Sequence, residues 1–188
     1  MVTRSLLMVL ALAAALALAG CGNKIEVRTV GETEGLYIDI GELKYQVQLS
    51  RIINQHAVYD RVFLRGLPPG TLQPKADEAW FGVWLRVQNT TSEKTLPAAE
   101  DFMIVDTQEN EFEPIELEPS ENVFAYAPVD LGPNTIVPDS QSPAGEGVIQ
   151  GSLLLFKLTN EALQNRPLEF KIQSPENIEE VGIVDLDV

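Results

Sequence analysis

The sequence has little of the chemistry from which most metal sites and nucleophilic active sites are built. Its 188 residues include one cysteine, one histidine and three methionines. Zinc and copper sites need clustered His, Cys or Met ligands, which His56 alone cannot supply, and we interpret His56 as a solvated loop residue. A serine nucleophile would depend on that same histidine, and no Gly-x-Ser-x-Gly motif is present. The sequence therefore predicts no metal, no cofactor and no catalytic residue of the nucleophile and base type.

Positive charge is also scarce. Lys and Arg number 13 against 28 Asp and Glu, which gives a formal net charge of −15. Phosphate backbones and anionic headgroups repel such a chain. The charge therefore argues against nucleic acid as a partner and against electrostatic attachment to a membrane.

The acids are unevenly distributed, because no Lys or Arg occurs between Lys94 and Lys157. The candidate acidic patch in this stretch consists of Glu109, Glu111, Glu113, Glu116 and Glu118. It is either a solvated face that keeps the protein soluble or a site for a cation or a basic partner. The spacing does not match an EF-hand loop, so no calcium cage is predicted. Glu100 and Asp101 are expected to point to opposite faces of a strand and not to form a facing acid-base pair.

One long apolar run is present, Leu6–Ala19, preceded by Arg4 and followed by small residues. This arrangement is typical of a secretory signal, and the run is shorter than the roughly 20 residues that a transmembrane helix needs. It ends in Leu18, Ala19, Gly20 and Cys21, which resemble a bacterial lipobox. The resemblance implies cleavage before Cys21, a diacylglyceryl group on its sulfur and anchoring to the outer side of the cell membrane. Two acyl chains on one residue are sufficient for stable anchoring.

The rest of the chain is expected to form one domain. Removal of a signal peptide over residues 1–20 leaves 168 residues, which suits a single core. We interpret residues 21–34 as a lipid-anchored tether that spans on the order of 20 Å. Residues 35–188 then form the folded domain.

A period of two dominates this domain and predicts half-buried antiparallel strands. The apolar faces expected from it are Leu43, Tyr45, Val47 and Leu49; Phe81, Val83, Leu85 and Val87; and Leu168, Phe170 and Ile172. A hairpin is expected with strands 102–106 and 112–115, and the apolar segment GVIQGSLLLFKL is expected to be a central strand. Residues 160–165 are the one helical candidate, capped by Thr159, whereas the proline-rich segments 66–70 and 128–147 are expected to be free of helix. The pattern predicts an all-β sandwich.

Three segments, VWLRVQNTTSEKT, DFMIVDTQENEFEP and GVIQGSLLLFKL with RPLEFKI, give a more specific expectation. In this order they resemble the immunoglobulin-like sandwich domains of unknown function in exported bacterial lipoproteins. The resemblance covers residues 36–173 and implies an immunoglobulin-like antiparallel β-sandwich with an extracytoplasmic accessory role. It brings no catalytic residues. The segment 43–67 is longer and more distinctive than this family pattern, so a special function could be located there.

Trp84, Trp80 and Arg86 are the candidate partner-binding residues, because the alternation in WFGVWLRVQN places all three opposite the core face. Two alternatives remain open from the sequence. Either the loop 54–74 or the connection after Glu116 buries both rings, or one ring is exposed and anchors a partner.

Two functions therefore stand as hypotheses. The first is a membrane-tethered, non-enzymatic module that binds another component of the cell envelope. The alternative is an envelope hydrolase with carboxylates brought together from different strands. A deep pocket with convergent acids would favour the hydrolase, whereas a flat aromatic or acidic surface would favour the binding module.

Overall fold

The computed structural model describes residues 27–188. In chain order the strands are β1 (Val30–Gly31), β2 (Tyr37–Ile40), β3 (Leu43–Ile53), β4 (Glu78–Asn89), β5 (Leu96–Pro97), β6 (Phe102–Val105), β7 (Glu111–Phe112), β8 (Asp130–Leu131), β9 (Ile136–Val137), β10 (Ser152–Thr159), β11 (Leu168–Gln173) and β12 (Val181–Leu186). One large sheet has the order β1-β12-β11-β6-β7, and the second has the order β10-β4-β3-β2 with β9 beside β4. The short strands β5 and β8 form a separate antiparallel pair. The predicted all-β sandwich is confirmed. One pairing departs from the antiparallel pattern, since β1 runs parallel to β12.

The inner core lies between the two sheets, and alternation along the strands accounts for it. The predicted faces Phe81, Val83, Leu85 and Val87 on β4 and Leu168, Phe170 and Ile172 on β11 all lie in this core. Phe156 on β10 meets Phe170 edge to face, with ring centroids 6.3 Å apart. These predictions are confirmed because both strands keep an unbroken pleat through the sheet.

Strand β3 does not keep an unbroken pleat. Val47 pairs with Leu85, but the next paired residue is Leu49, opposite Trp84, so the ladder contains a β-bulge at this point. The extra residue moves Leu49 away from Leu43, Tyr45 and Val47 and onto the outer face of the sheet. The prediction that Leu49 shares the inner face is therefore wrong.

The outer face of this sheet carries a second apolar cluster. The outer cluster consists of the buried residues Ile53, Trp80, Trp84, Leu117, Leu153 and Leu155, with partly buried neighbours from residues 63–67 and 115–125. Both segments that the sequence offered as covers contribute to it. Gly82 allows this packing, because a Cβ there would lie 2.8 Å from the Trp84 ring. β4 is consequently buried on both faces and is not the half-buried strand that was predicted.

Loop 54–74 is held over the outer cluster by polar contacts. The Arg51 guanidinium binds both carboxylate oxygens of Asp60, at 3.0 and 2.7 Å, and lies 5.2 Å from the centre of the Trp84 ring. The hydrogen bond from Arg51 lowers the pKa of Asp60. The Asn122 side chain donates to the carbonyl oxygens of Phe63 and Arg65, at 3.1 and 3.0 Å. The two covering segments are thus fastened to the sheet and to each other.

The helical turns differ in part from the prediction. Residues Ala162–Gln164 form a 3₁₀ turn whose N-cap residue is Glu161 and not the predicted Thr159, although the Thr159 hydroxyl accepts a hydrogen bond from the Ala162 N–H at 3.1 Å. The short helix α1 (Pro143–Glu146) lies within the segment expected to be free of helix. It begins there because Ser142 caps it and a proline suits the first helical position. β10 ends its sheet and is not central.

The folded chain begins earlier than the predicted boundary at residue 35. Val30 and Gly31 pair with Ile183 and Val184. The Arg28 carbonyl oxygen accepts a hydrogen bond from the Asp39 N–H at 2.6 Å. Residues 28–34 are therefore part of the domain and not tether. The predicted signal peptide and Cys21 lie outside the described residues.

Candidate functional site

A cleft of about 600 Å³ lies between residues of β6 and β10. We name it the acidic cleft. It is lined by residues 100–103, 113–117, Pro119, 126–128, Leu153 and Leu154. These residues come from both sheets and from the connections between them, so the cleft lies where the two layers separate.

A crossing of the chain between the sheets opens this cleft. β7 pairs with β6 through Phe112 and Glu111, and then stops. Three residues later the Ile115 N–H donates to the Leu155 carbonyl oxygen at 2.6 Å, so the chain has moved to the edge of β10. On the side away from β11, the first half of β6 has no β7 residue beside it, and the cleft lies next to this part of the strand.

The rim of the acidic cleft is negatively charged. Glu100, Asp101, Glu113 and Glu116 line it, and all four are exposed. Among the described residues that line the cleft, none is Lys or Arg. Glu100 and Asp101 precede β6 and line the same cleft, so the expectation that they would point to opposite sides of a strand does not apply to them.

The floor of the cleft is apolar, and its residue Tyr126 is held in place by an aromatic contact and a hydrogen bond. Tyr126 packs edge to face against Phe102, with ring centroids 5.1 Å apart, and its hydroxyl donates to the Ala99 carbonyl oxygen at 2.8 Å. Burial raises the pKa of Tyr126, and Tyr45 and Glu100 raise it further. Burial likewise raises the pKa of Tyr45 to about 12, although its hydroxyl accepts a hydrogen bond from the Ala99 N–H. Both phenols therefore stay neutral, and their hydrogen bonds to the main chain of Ala99 hold the segment that precedes β6 beside the cleft.

The five acids predicted as one patch do not lie together. Glu113 and Glu116 belong to the acidic cleft, whereas Glu109 and Glu111 line a shallower hollow of about 480 Å³ with Glu161. Glu118 lies at a third place, where its N–H donates to the Gly66 carbonyl oxygen and its carboxylate accepts from Ser120. Those Ser120 hydrogen bonds lower the pKa of Glu118. The structure thus divides the predicted patch among three locations.

The predicted partner-binding tryptophans are buried. Trp80 and Trp84 are each 1% exposed, and Phe63 from the covering loop meets Trp84 edge to face at 5.2 Å. Neither ring can contact a partner in this arrangement, which corrects the proposal that one of them is an anchor. The alternative, burial by the loop and the later connection, is the arrangement observed. Arg86 is half-buried, and its nearest side-chain partner is the Gln150 oxygen at 3.4 Å.

His56 is exposed in the covering loop. Within residues 27–188, no three His, Cys, Asp or Glu side chains converge closely enough to hold a metal ion. The same residues include no helix that is long and apolar enough to cross a bilayer.

The chain was compared with known families, curated proteins and solved structures, and only solved structures resemble it. No protein-family model and no curated protein matches the chain. The yjhA protein of Bacillus subtilis is 11% identical with a TM-score of 0.49, over 83% of this chain and 99% of that one. An uncharacterized β-sandwich protein of Clostridium difficile is 9% identical with a TM-score of 0.45, over 88% and 100%. The candidate lipoprotein ycdA of Bacillus subtilis is 13% identical with a TM-score of 0.44, over 82% of this chain but 39% of that one. At these values the similarities assign no function.

The cleft is the feature that the sequence did not predict. Its walls come from segments as far apart as residues 100 and 154, and no local pattern connects them. One local signal was available, because Pro114 ends a strand that has only just begun and lies within an acidic run. That proline marks the point where the chain leaves β6.

Proposed function

We propose that this protein is an extracytoplasmic lipoprotein, anchored through lipid on Cys21, that binds another envelope component without catalysing a reaction. The observation that carries the binding role is the acidic cleft, in which an apolar floor is surrounded by four exposed carboxylates. A partner that is basic at its edges and apolar in its middle is complementary to such a surface.

The anchor is tested with the full chain in a bacterial host. Cys21→Ser removes the sulfur that the lipid requires, so unprocessed precursor or protein released from the membrane is expected. Asn23→Ser introduces the same side chain two residues later and should be processed and membrane-bound as before. Membrane fractionation with mass analysis separates the outcomes. A Cys21→Ser protein that is still cleaved and bound to the membrane would contradict lipid anchoring.

The binding role is tested by photo-crosslinking from the cleft of the anchored protein. A crosslinker at Met103, which lines the cleft, should give an adduct of defined mass. Charge reversal with Glu113→Lys and Glu116→Lys should abolish that adduct. The matched control, Glu176→Lys with Glu179→Lys, makes the same charge change at exposed positions outside the cleft and should leave the adduct intact. An adduct that survives reversal in the cleft contradicts the proposal.

The alternative, an envelope hydrolase, is favoured by one observation. The carboxylates of the cleft come from two separate segments, 100–101 and 113–116, as that hypothesis requires. Catalytic carboxyl pairs generally depend on burial or a close partner to keep one carboxyl protonated, and these four are exposed. Single Glu→Gln or Asp→Asn changes distinguish the two functions. If the protein only binds its partner, each single change should reduce the amount of crosslinked adduct by a part. If it is a hydrolase, the change at the catalytic carboxyl should stop turnover and trap the substrate, so the amount of adduct should increase in that variant alone.

A further inference from the structure

The main-chain edge of β6 beside the acidic cleft has a defined hydrogen-bonding pattern. The Gln173 N–H donates to the Asp101 carbonyl oxygen at 3.0 Å, so the main-chain groups of alternate residues from Asp101 onward point toward β11. The residues between them, Phe102 and Ile104, point their N–H and C=O groups the other way. On that side Ile104 pairs with Phe112, and the Asp106 N–H donates to the Asn110 carbonyl oxygen at 3.1 Å.

Continued by two residues, this register would place Pro114 opposite Phe102. Proline has no N–H with which to bond the Phe102 carbonyl oxygen, and the chain turns away to pair Ile115 with Leu155. Within residues 27–188, the β6–β7 ladder ends at the Ile104–Phe112 pair, so on this side of β6 no β7 residue pairs with the Phe102 N–H and C=O. Phe102 lines the cleft, so a strand edge is left open inside it.

An open donor and acceptor pair in a cleft of this size favours a particular kind of ligand. Strand addition satisfies such an edge with the main chain of a peptide, while alternate side chains occupy the two sides. The segment 100–103 offers about 13 Å of edge at roughly 3.3 Å per residue, enough for about four residues. The floor accepts apolar side chains, and the carboxylates of the rim accept basic ones.

We propose that the acidic cleft binds an extended, basic segment of a partner protein as an additional strand on β6, in the place that β7 vacates at Pro114. This inference rests on the proposed binding function and specifies the partner chemistry of the same cleft. In the added strand, the residue opposite Phe102 directs its side chain to the same face as Phe102, which is the inner face. The residues that bond β6 are therefore the apolar ones, and the basic residues alternate with them.

The experiment uses the full lipid-anchored protein in nanodiscs and a fluorescent pool of capped seven-residue peptides. The peptides alternate Lys or Arg with Val, Ile or Thr. Saturable binding by anisotropy is expected, weakened about tenfold or more by Glu113→Gln with Glu116→Gln, because two charged acceptors are removed. Glu176→Gln with Glu179→Gln should leave the affinity unchanged. Hydrogen exchange at the Phe102 amide should slow about tenfold or more on saturation.

Two sets of N-methylated peptides isolate the strand addition. Methyl groups on the amides of the apolar residues remove the donors that face β6 and should abolish binding. Methyl groups on the amides of the basic residues face away from β6 and should be tolerated. Equal effects of the two sets, or an unprotected Phe102 amide in a bound complex, would overturn strand addition and leave the cleft as a charge-based site. Absence of saturable binding, or equal losses in the cleft and control variants, would overturn both the strand addition and the proposed use of the cleft.

Discussion

Asp106 follows β6, and its carboxylate accepts hydrogen bonds from several neighbouring groups. Replacement of Asp106 by Asn should therefore destabilise the fold measurably. Its carboxylate is buried and accepts four hydrogen bonds at 2.9 Å, from the N–H groups of Gln108 and Asn110 and from the side-chain amides of Asn110 and Asn165. Burial acts to raise the pKa of Asp106, but these hydrogen bonds outweigh it and lower the pKa from 3.8 to about 2. Each pKa unit corresponds to about 1.4 kcal/mol, so the charged form stabilises the fold by about 2 kcal/mol.

The sign of the shift fixes the pH dependence. A carboxyl whose pKa is lower in the folded state stabilises the protein fully above the ordinary pKa of about 4, and this contribution is lost as the pH falls toward 2. Urea unfolding of wild type and Asp106→Asn, followed by tryptophan fluorescence, should therefore differ by about 2 kcal/mol at pH 7 and at pH 5. The difference should shrink steadily as the pH is lowered from 4 to 2.

Glu109→Gln provides the control, because it removes the same charge from the same turn at an exposed position. Its expected effect is within about 0.5 kcal/mol at every pH. A difference between wild type and Asp106→Asn that stays constant down to pH 2, or one no larger than that of Glu109→Gln, would refute the assignment of this stability to the Asp106 hydrogen bonds.

Two further predictions concern packing. Trp84→Ala empties the centre of the outer cluster and should lower the free energy of unfolding by about 3–5 kcal/mol. The control is Tyr59→Ala in the covering loop, where the side chain is 89% exposed and the expected loss is about 0.5 kcal/mol or less. Similar losses for the two variants in thermal melts would contradict the burial described for Trp84. Gly66→Ala should lower the melting temperature at least twice as much as Gly70→Ala. Both glycines have positive φ, so alanine at either position would be strained by roughly 1–2 kcal/mol, but only at Gly66 would the new Cβ lie 2.7 Å from the Glu118 carbonyl oxygen. Equal shifts would show that this loop and the 118 segment do not touch.

The inner core could be predicted from the sequence because the alternation of residues within each contributing strand identifies the face that is buried. Val83 and Leu85 alternate with residues of the other face over the whole length of β4, and Phe170 does the same on β11. No long-range knowledge is needed for such a pattern. The hairpin after Phe102 was predicted for the same reason, since turn residues separate two short apolar segments, but its second strand is Glu111–Phe112 and not 112–115 as predicted.

The sequence offered the burial of Trp80 and Trp84 only as one of two alternatives, and it did not predict the cleft, because both features depend on contacts between distant segments. The sequence around Trp80 and Trp84 is the same whether these side chains are exposed or covered by a loop. The residues that cover them, such as Phe63 and Leu117, are distant in the sequence. The acidic run after Lys94 gave the charge of the cleft but not its position, since only the crossing at Pro114 separates Glu113 from Glu111 in space. Sequence reasoning therefore gave the charge of the cleft and missed its shape.

The β-bulge in β3 has a consequence for how such sandwiches diverge. The apolar residues of β3 alternate regularly from Leu43 to Leu49, yet Val47 belongs to the inner core and Leu49 packs against the outer cluster. The bulge accommodates one extra residue, so two residues that are two positions apart on either side of it face opposite cores. Gain or loss of one residue at this position, together with the bulge, would leave the later residues of β3 on their present face but would shift the hydrophobic alternation of the sequence by one, so an alignment of apolar positions alone would assign Leu49 to the wrong core.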